Sequence, residues 1–338
     1  VKALVSGGGG FLGGAIVRKL VERGDSVRSL SRGDYPDLRA LGVETLRGDV
    51  ADHEACQNAM AGVDVVFHVA AKAGIWGPRA DFVRANVDGT RNVIEACLAH
   101  QVHKLVYTSS PSVVFDGGDL EGVDESTPYP DRFDAYYPET KAEAERIVLA
   151  QNEPNLSTVA LRPHLIWGPG DNHLIPRIVA RARAGRLRKV GNRPNLVDSI
   201  YVDNAAHAHL LAADRLAPGS PVAGKAYFIS QGDPWPLWDL INGILLAAKL
   251  PPVTRTVPPS VAKVAAVVLE TTHRALRLSG EPMMTRFLVQ QLSTAHWFNI
   301  DAARRDLGYS PQISIEQGLQ RLGQWFDRSR DQNPTSPL

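Results

Sequence analysis

The chain has 338 residues, 44% of them hydrophobic, enough to bury a sizeable core in one large domain or a main domain with a smaller partner. Lysine plus arginine number 37 against 36 for aspartate plus glutamate, a balance that leaves no electrostatic footprint for nucleic acid. Two cysteines, Cys56 and Cys97, make no disulfide framework, and no apolar run approaches the roughly 18 residues of a bilayer span.

A strand is expected from Val1, which leaves no room for a signal peptide and suits a cytoplasmic setting. Further strands are expected at residues 26–30, 43–47, 63–69, 104–109 and 157–162, several as nearly continuous apolar runs. Helical patterns fill the gaps, notably 11–22, 82–100 and 136–151. This alternation predicts an α/β fold, a doubly wound parallel sheet with ligand sites at the carboxyl ends of its strands. After about Gly168 proline becomes frequent and the pattern loosens. Residues 1–168 read as mainly a dinucleotide-binding domain, and 169–330 as a smaller, mostly helical substrate lobe. Some of its elements, such as 226–230, return to the sheet, and 331–338 form a frayed tail.

The first expected strand runs into Gly7-Gly8-Gly9-Gly10-Phe11-Leu12-Gly13 and then a helix, the context that gives a glycine motif meaning. Gly7 suits the tight turn, Gly10 a close approach to a pyrophosphate, and Gly13 close helix–sheet packing. The second strand ends at Ser31-Arg32 with no acid to grip a ribose 2′-hydroxyl; Asp34 lies beyond that position. A hydroxyl and a guanidinium suit a 2′-phosphate, so NADP is expected, with NAD as the alternative. Asp49-Val50, after the third strand, either contacts the adenine or caps the following helix.

Thr108-Ser109-Ser110 closes the strand expected at 104–109, and Ser110 is the candidate to hold a substrate carbonyl oxygen. Ser109 is expected to turn into the packing. Tyr137 and Lys141 open a helix four residues apart, which puts phenol and ammonium on one face. The nearby cation is expected to lower the tyrosine pKa toward a range useful for proton transfer.

Between Asp171 and Asp198 seven basic residues, Arg177 to Arg193, occur without an acid; a solvated face is the simpler expectation, a receptor for a carboxylate or an acidic partner the other. Val261, Val264, Ala265, Val268 and Leu269 recur at helical spacing, as do Met284, Phe287, Leu288 and Leu292. Core packing is the favoured reading of both stripes, a roof over an acyl channel or a membrane-surface face the others. His207 and His209 do not share a helix face, and no metal is expected.

These motifs in this order resemble the extended short-chain dehydrogenase/reductase superfamily, and within it the 3β-hydroxysteroid dehydrogenase group. The likeness is carried by Gly7 to Gly13, Ala70 to Gly77, Asn86 to Asn92, Tyr107 to Phe115, Tyr137 to Lys141, Leu161 to His173 and Tyr201 to His209. It implies Ser110, Tyr137 and Lys141 as the catalytic set, and cofactor contacts from Ala70, Ala71, Lys72, Asn86 and Pro163. The details are similar to a bacterial branch of NADPH-dependent reductases acting on 2-alkyl-3-oxoalkanoates in long-chain olefin formation. The implied partners are a long-chain small molecule, a second copy of the chain, and a pathway-enzyme assembly. Oxidation of a 3β-hydroxysteroid or a sterol-4-carboxylate is the alternative. A nucleotide-sugar enzyme and a silent dinucleotide sensor follow.

Overall fold

The computed structural model describes residues 1–332. Seven strands form the central sheet: β1 (Lys2–Ser6), β2 (Ser26–Ser31), β3 (Glu44–Arg47), β4 (Val65–His68), β5 (Lys104–Thr108), β6 (Ser157–Pro163) and β7 (Lys225–Ile229). Their order is β3-β2-β1-β4-β5-β6-β7, and every neighbouring pair is parallel. β6 is buried at all seven positions, because helices cover both faces. The order reverses between β1 and β4, and the crevice at that switch point is where such sheets bind ligands.

Three helices position the site. α1 (Phe11–Glu22) follows the glycine turn, α2 (Gly89–Ala99) packs beyond β4, and α3 (Tyr136–Ala150) crosses between β5 and β6. The single helix expected at 82–100 is interrupted by a wider π segment at Val83–Asp88. Within that segment the Asn86 carbonyl accepts the Thr90 hydroxyl at 2.6 Å, while the Asn86 side chain turns away toward Lys72 and Thr140.

The later half supplies α4 (Leu174–Arg183), α5 (Val202–Arg215), α6 (Leu237–Ala247), α7 (Pro259–Ala275), α8 (Arg286–Ser293) and α9 (Ile315–Gln332). A second, four-stranded sheet joins Leu120–Val123, Leu196–Val197, Trp235–Pro236 and His296–Phe298. Elements therefore cross position 168 in both directions. β7 completes the main sheet, and Leu120–Val123 pairs with His296–Phe298 in the other. Asp331 and Gln332 continue α9 rather than fray, and 333–338 lie outside the described residues.

The α7 stripe is not core. Val261, Val264 and Val268 are each more than half exposed, and Ala262 and Ala266 face inward instead. The spacing points to the valine face as core, but the smaller side chains, Ala262 and Ala266, are the ones that pack against α8. Among the described residues no helix is long and apolar enough to cross a membrane.

Candidate active site

The glycine turn is shaped by close approach. Gly7 has φ +73°, and a Cβ there would stand 3.0 Å from the Ala70 backbone. A Cβ on Gly13 would overlap the Gly7 carbonyl. With Phe11, Leu12 and Gly10, these residues line a cleft of about 590 Å³. Tyr35, not anticipated from the sequence, packs its ring over Gly9 and walls the same cleft. Ser31 is buried, and its hydroxyl accepts the Gly9 amide at 3.1 Å, so it braces the turn. Arg32 is exposed at the cleft mouth, and Asp34 is held by Arg39.

Asp49 and Val50 line the cleft. Of the two roles open to Asp49, the helix cap belongs to Asp52, whose carboxylate accepts the Glu54 amide at 3.0 Å; Asp49 pairs with Arg84 at 3.0 Å. Ala70, Ala71, Lys72 and Pro163 also line it. Asn86 does not reach the cleft. It is buried behind the wall, accepting the Lys72 amide at 2.7 Å and donating to Thr140 Oγ1 at 3.0 Å. The expected cofactor contact is thus a brace for the segment that makes contact.

Ser110 leaves β5 and caps the short 3₁₀ turn Pro111–Val114, its hydroxyl accepting the Ser112 amide at 3.2 Å. Ser109 is buried and its hydroxyl is sealed from solvent, in line with the expected inward turn, while its amide donates to the Leu161 carbonyl at 2.6 Å. Tyr137 and Lys141 lie in the first turns of α3. Lys141 is buried; its ammonium donates to the Thr108 carbonyl at 2.5 Å and sits 4.1 Å from the Tyr107 ring centroid. Thr108 is held in turn by His209, a residue sequence reasoning considered only as a metal ligand. His209 Nδ1 lies 2.7 Å from the Ala205 carbonyl, which can only accept, so Nε2 is bare and accepts the Thr108 hydroxyl at 2.8 Å.

Burial pushes Lys141 down to about 7, against the attraction of Glu145 one turn along. Glu145 is itself buried and bound by Arg162 at 2.6 Å and by the Tyr129 hydroxyl at 2.6 Å. The expected acidification of Tyr137 is not what the protein alone produces. Burial raises the phenol above its ordinary value, and the neighbouring Ser110 hydroxyl is the group that opposes it. The lysine supplies no counterweight, because its ammonium is turned onto the Thr108 carbonyl.

A second cavity, of about 370 Å³, opens on the other side of the same residues, with walls including Phe115, Leu165, Trp238, Ile241 and Phe287. Phe287, Leu288 and Leu292 of the α8 stripe line it. The two spaces share Ala73, Ser110, Tyr137, Pro163, Leu165 and His173. One hydroxyl and one phenol therefore stand where a cofactor ring and an apolar substrate could meet. The basic run is largely exposed, as expected, but several of its charges are paired: Arg177 binds Glu281 at 2.8 Å, and Arg193 reaches Asp119 and Glu121 at 2.5 and 2.9 Å. Arg177 and Arg181 also border the cavity, Arg181 donating to the Met283 carbonyl at 2.9 Å.

Residues 4–255 match the model of the 3-beta hydroxysteroid dehydrogenase/isomerase family. A 2-alkyl-3-oxoalkanoate reductase of Stenotrophomonas maltophilia is 53% identical over 324 residues, covering 95% of this chain and 98% of that protein. A decarboxylating sterol-4-alpha-carboxylate 3-dehydrogenase of Mus musculus is 35% identical over 337 residues, covering 97% and 92%. The solved structure of MoeE5 in complex with UDP-glucuronic acid and NAD superposes with a TM-score of 0.74 at 24% identity, covering 97% and 100%, a likeness of fold.

Proposed function

The chain belongs to the 3-beta hydroxysteroid dehydrogenase/isomerase family of NAD(P)-dependent oxidoreductases, and we propose that it reduces a 2-alkyl-3-oxoalkanoate to the 2-alkyl-3-hydroxyalkanoate with NADPH, in the cytoplasm. The observation that carries this reading is the shared wall: Ser110 and Tyr137 border both the glycine-rich cleft and an apolar cavity sized for a small molecule. The buried free thiols of Cys56 and Cys97 suit a reducing compartment.

The cleft fits a dinucleotide. α1 begins with no side-chain cap, which leaves its first amides free for a phosphate, and a Cβ at Gly10 would meet only the Gly7 carbonyl, at 3.2 Å. Arg32 has no carboxylate partner among the described residues, which favours a 2′-phosphate over a bare ribose. Gly7, Gly10 and Gly13 would receive the pyrophosphate, Asp49 and Val50 the adenine, and Lys141 the nicotinamide ribose. The bound cofactor supplies the hydride.

Ser110 donates a hydrogen bond to the ketone oxygen and fixes it beside Tyr137. The raised phenol pKa keeps the Tyr137 proton in place through neutral pH, available to the oxygen as it gains charge. Lys141 orients the site from its anchor on the Thr108 carbonyl. Reducing the ketone has a chemical logic: a 3-oxo acid readily loses carbon dioxide, and the 3-hydroxy acid keeps its carboxylate.

The test is oxidation of long-chain 2-alkyl-3-hydroxy acids with NADP. Reduction of NADP is expected with at least one chain length. Failure at every length, while a 3-hydroxy-4-carboxysterol is oxidised, would replace this reading with the sterol one.

A further inference from the structure

His164 follows β6 directly and lines the apolar cavity together with Ser110 and Tyr137. Its Nε2 lies 2.8 Å from Nδ1 of His296, whose own Nε2 lies 2.9 Å from the backbone carbonyl of Gln291. That carbonyl only accepts, so His296 Nε2 carries a proton. In the neutral ring Nδ1 is then the acceptor, and the proton between the two rings belongs to His164 Nε2. Neutral His164 is left with a bare Nδ1. No group among the described residues hydrogen-bonds this atom, and the residue belongs to the wall of the cavity that Ser110 and Tyr137 also line.

The surroundings leave the pair uncharged and unclaimed. His164 meets the rings of His296 and Phe298 at 4.9 and 5.2 Å, and burial lowers both histidines below their ordinary value. Asp119, the carboxylate that bears on His296, is taken by Arg193 and the Ala295 amide. Asp198, near Phe298, accepts that residue's amide at 2.8 Å. The other ionisable groups on the cavity are Tyr137, His173, Arg177 and Arg181, and the two arginines are engaged by Glu281 and the Met283 carbonyl.

We propose that the His164–His296 pair is the receptor for the substrate's carboxylate and takes up one proton when the acid binds. This rests on the reading of the substrate as a 3-oxo or 3-hydroxy acid. In such a molecule the carboxyl carbon is two bonds from the carbon that reacts. Its receptor must therefore stand beside Ser110 and Tyr137, where His164 is. A carboxylate meeting a bare nitrogen lone pair is repelled. One proton from solvent, placed on His164 Nδ1 or shared through His296, converts the contact into an imidazolium–carboxylate hydrogen bond, with no bond to carbon made or broken.

The experiment compares a long-chain 2-alkyl-3-hydroxyalkanoate with its methyl ester at saturating NADP between pH 6 and 9. Taking the ratio of kcat/KM, acid over ester, cancels the pH dependence of Tyr137. The ratio should fall about tenfold per pH unit, the signature of one proton bound with the acid alone. A ratio that does not change with pH overturns the proposal. This wild-type measurement needs no variant to fold. His164→Phe should cut the acid's kcat/KM far more than the ester's and flatten the slope; retention of the acid preference also overturns it. Turnover of neither compound removes the substrate reading and the receptor together, whereas turnover of both at a constant ratio removes the receptor alone.

Discussion

The Lys141 ammonium is fixed on the backbone carbonyl of Thr108, and the side chain of that same threonine is fixed by His209. Lysine, threonine and histidine come from α3, β5 and α5, so the position of the ammonium depends on three elements at once. Thr108→Val leaves the carbonyl but removes the hydroxyl anchor. We expect kcat/KM to fall roughly 10- to 100-fold, the scale of a small misplacement at a reacting centre, with the melting temperature little changed. Steady-state kinetics beside a thermal melt decide it, and wild-type kinetics would show the anchor to be idle.

Lys141 also makes stability depend on pH. Its folded value is about 7, whereas the unfolded side chain titrates near about 10.4. Between those values the unfolded chain holds the extra proton, so stability rises as pH rises through that window. Lys141→Met removes the dependence. Its melting temperature should exceed that of the wild type most below pH 7, with the gap closing toward pH 10. A gap of constant size across that range contradicts a lysine depressed by burial.

Tyr137→Phe should lower turnover about 10²- to 10⁴-fold, the usual share of a positioned proton donor. NADPH affinity, read by fluorescence titration, should stay close to that of the wild type. Equal losses in both would mean the phenol organises the cleft instead of moving a proton.

At the mouth of the cleft, Arg32→Asp places a carboxylate where a 2′-phosphate is proposed to lie. The KM for NADPH should rise by about tenfold or more, and that for NADH should fall or hold. Parallel changes for the two cofactors would leave Arg32 with no part in the choice.

Arg162→Met strands Glu145 in the core, since both members of the pair are almost fully buried. The cost expected for an uncompensated buried charge is about 3–5 kcal/mol. Urea unfolding monitors it, and a loss under about 1 kcal/mol would mean that Glu145 simply takes up a proton.

What could be read in advance was local in the chain. Gly7 and Gly13 act across one turn, and Tyr137 and Lys141 share one helix, so spacing alone brought each set together. His164 and His296 are 132 positions apart, and Thr108 and His209 are 101, distances over which no periodicity carries information. The Tyr137 pKa was misjudged for a related reason. The lysine is visible four residues away, but the burial of the phenol and the turning of the ammonium onto Thr108 are properties of the packed fold. In α7 the stripe from Val261 to Leu269 reads as core by its spacing, yet the face carrying Ala262 and Ala266 is the one that meets a neighbour, because the choice of face depends on what the fold packs against it. Asn86 was found at the right place, but its π segment aims it at the wall instead of the cleft.

The seventh strand has a practical corollary. Lys225–Ile229 pairs along Val159 to Pro163, so a protein cut after Gly168 would bare the backbone edge of its most deeply interred strand. Such a fragment would carry the entire glycine turn together with Ser110, Tyr137 and Lys141, yet offer an open template for sticking to its own copies. The residues proposed to hold the nucleotide and the strand that closes off this edge thus lie in different halves of the chain.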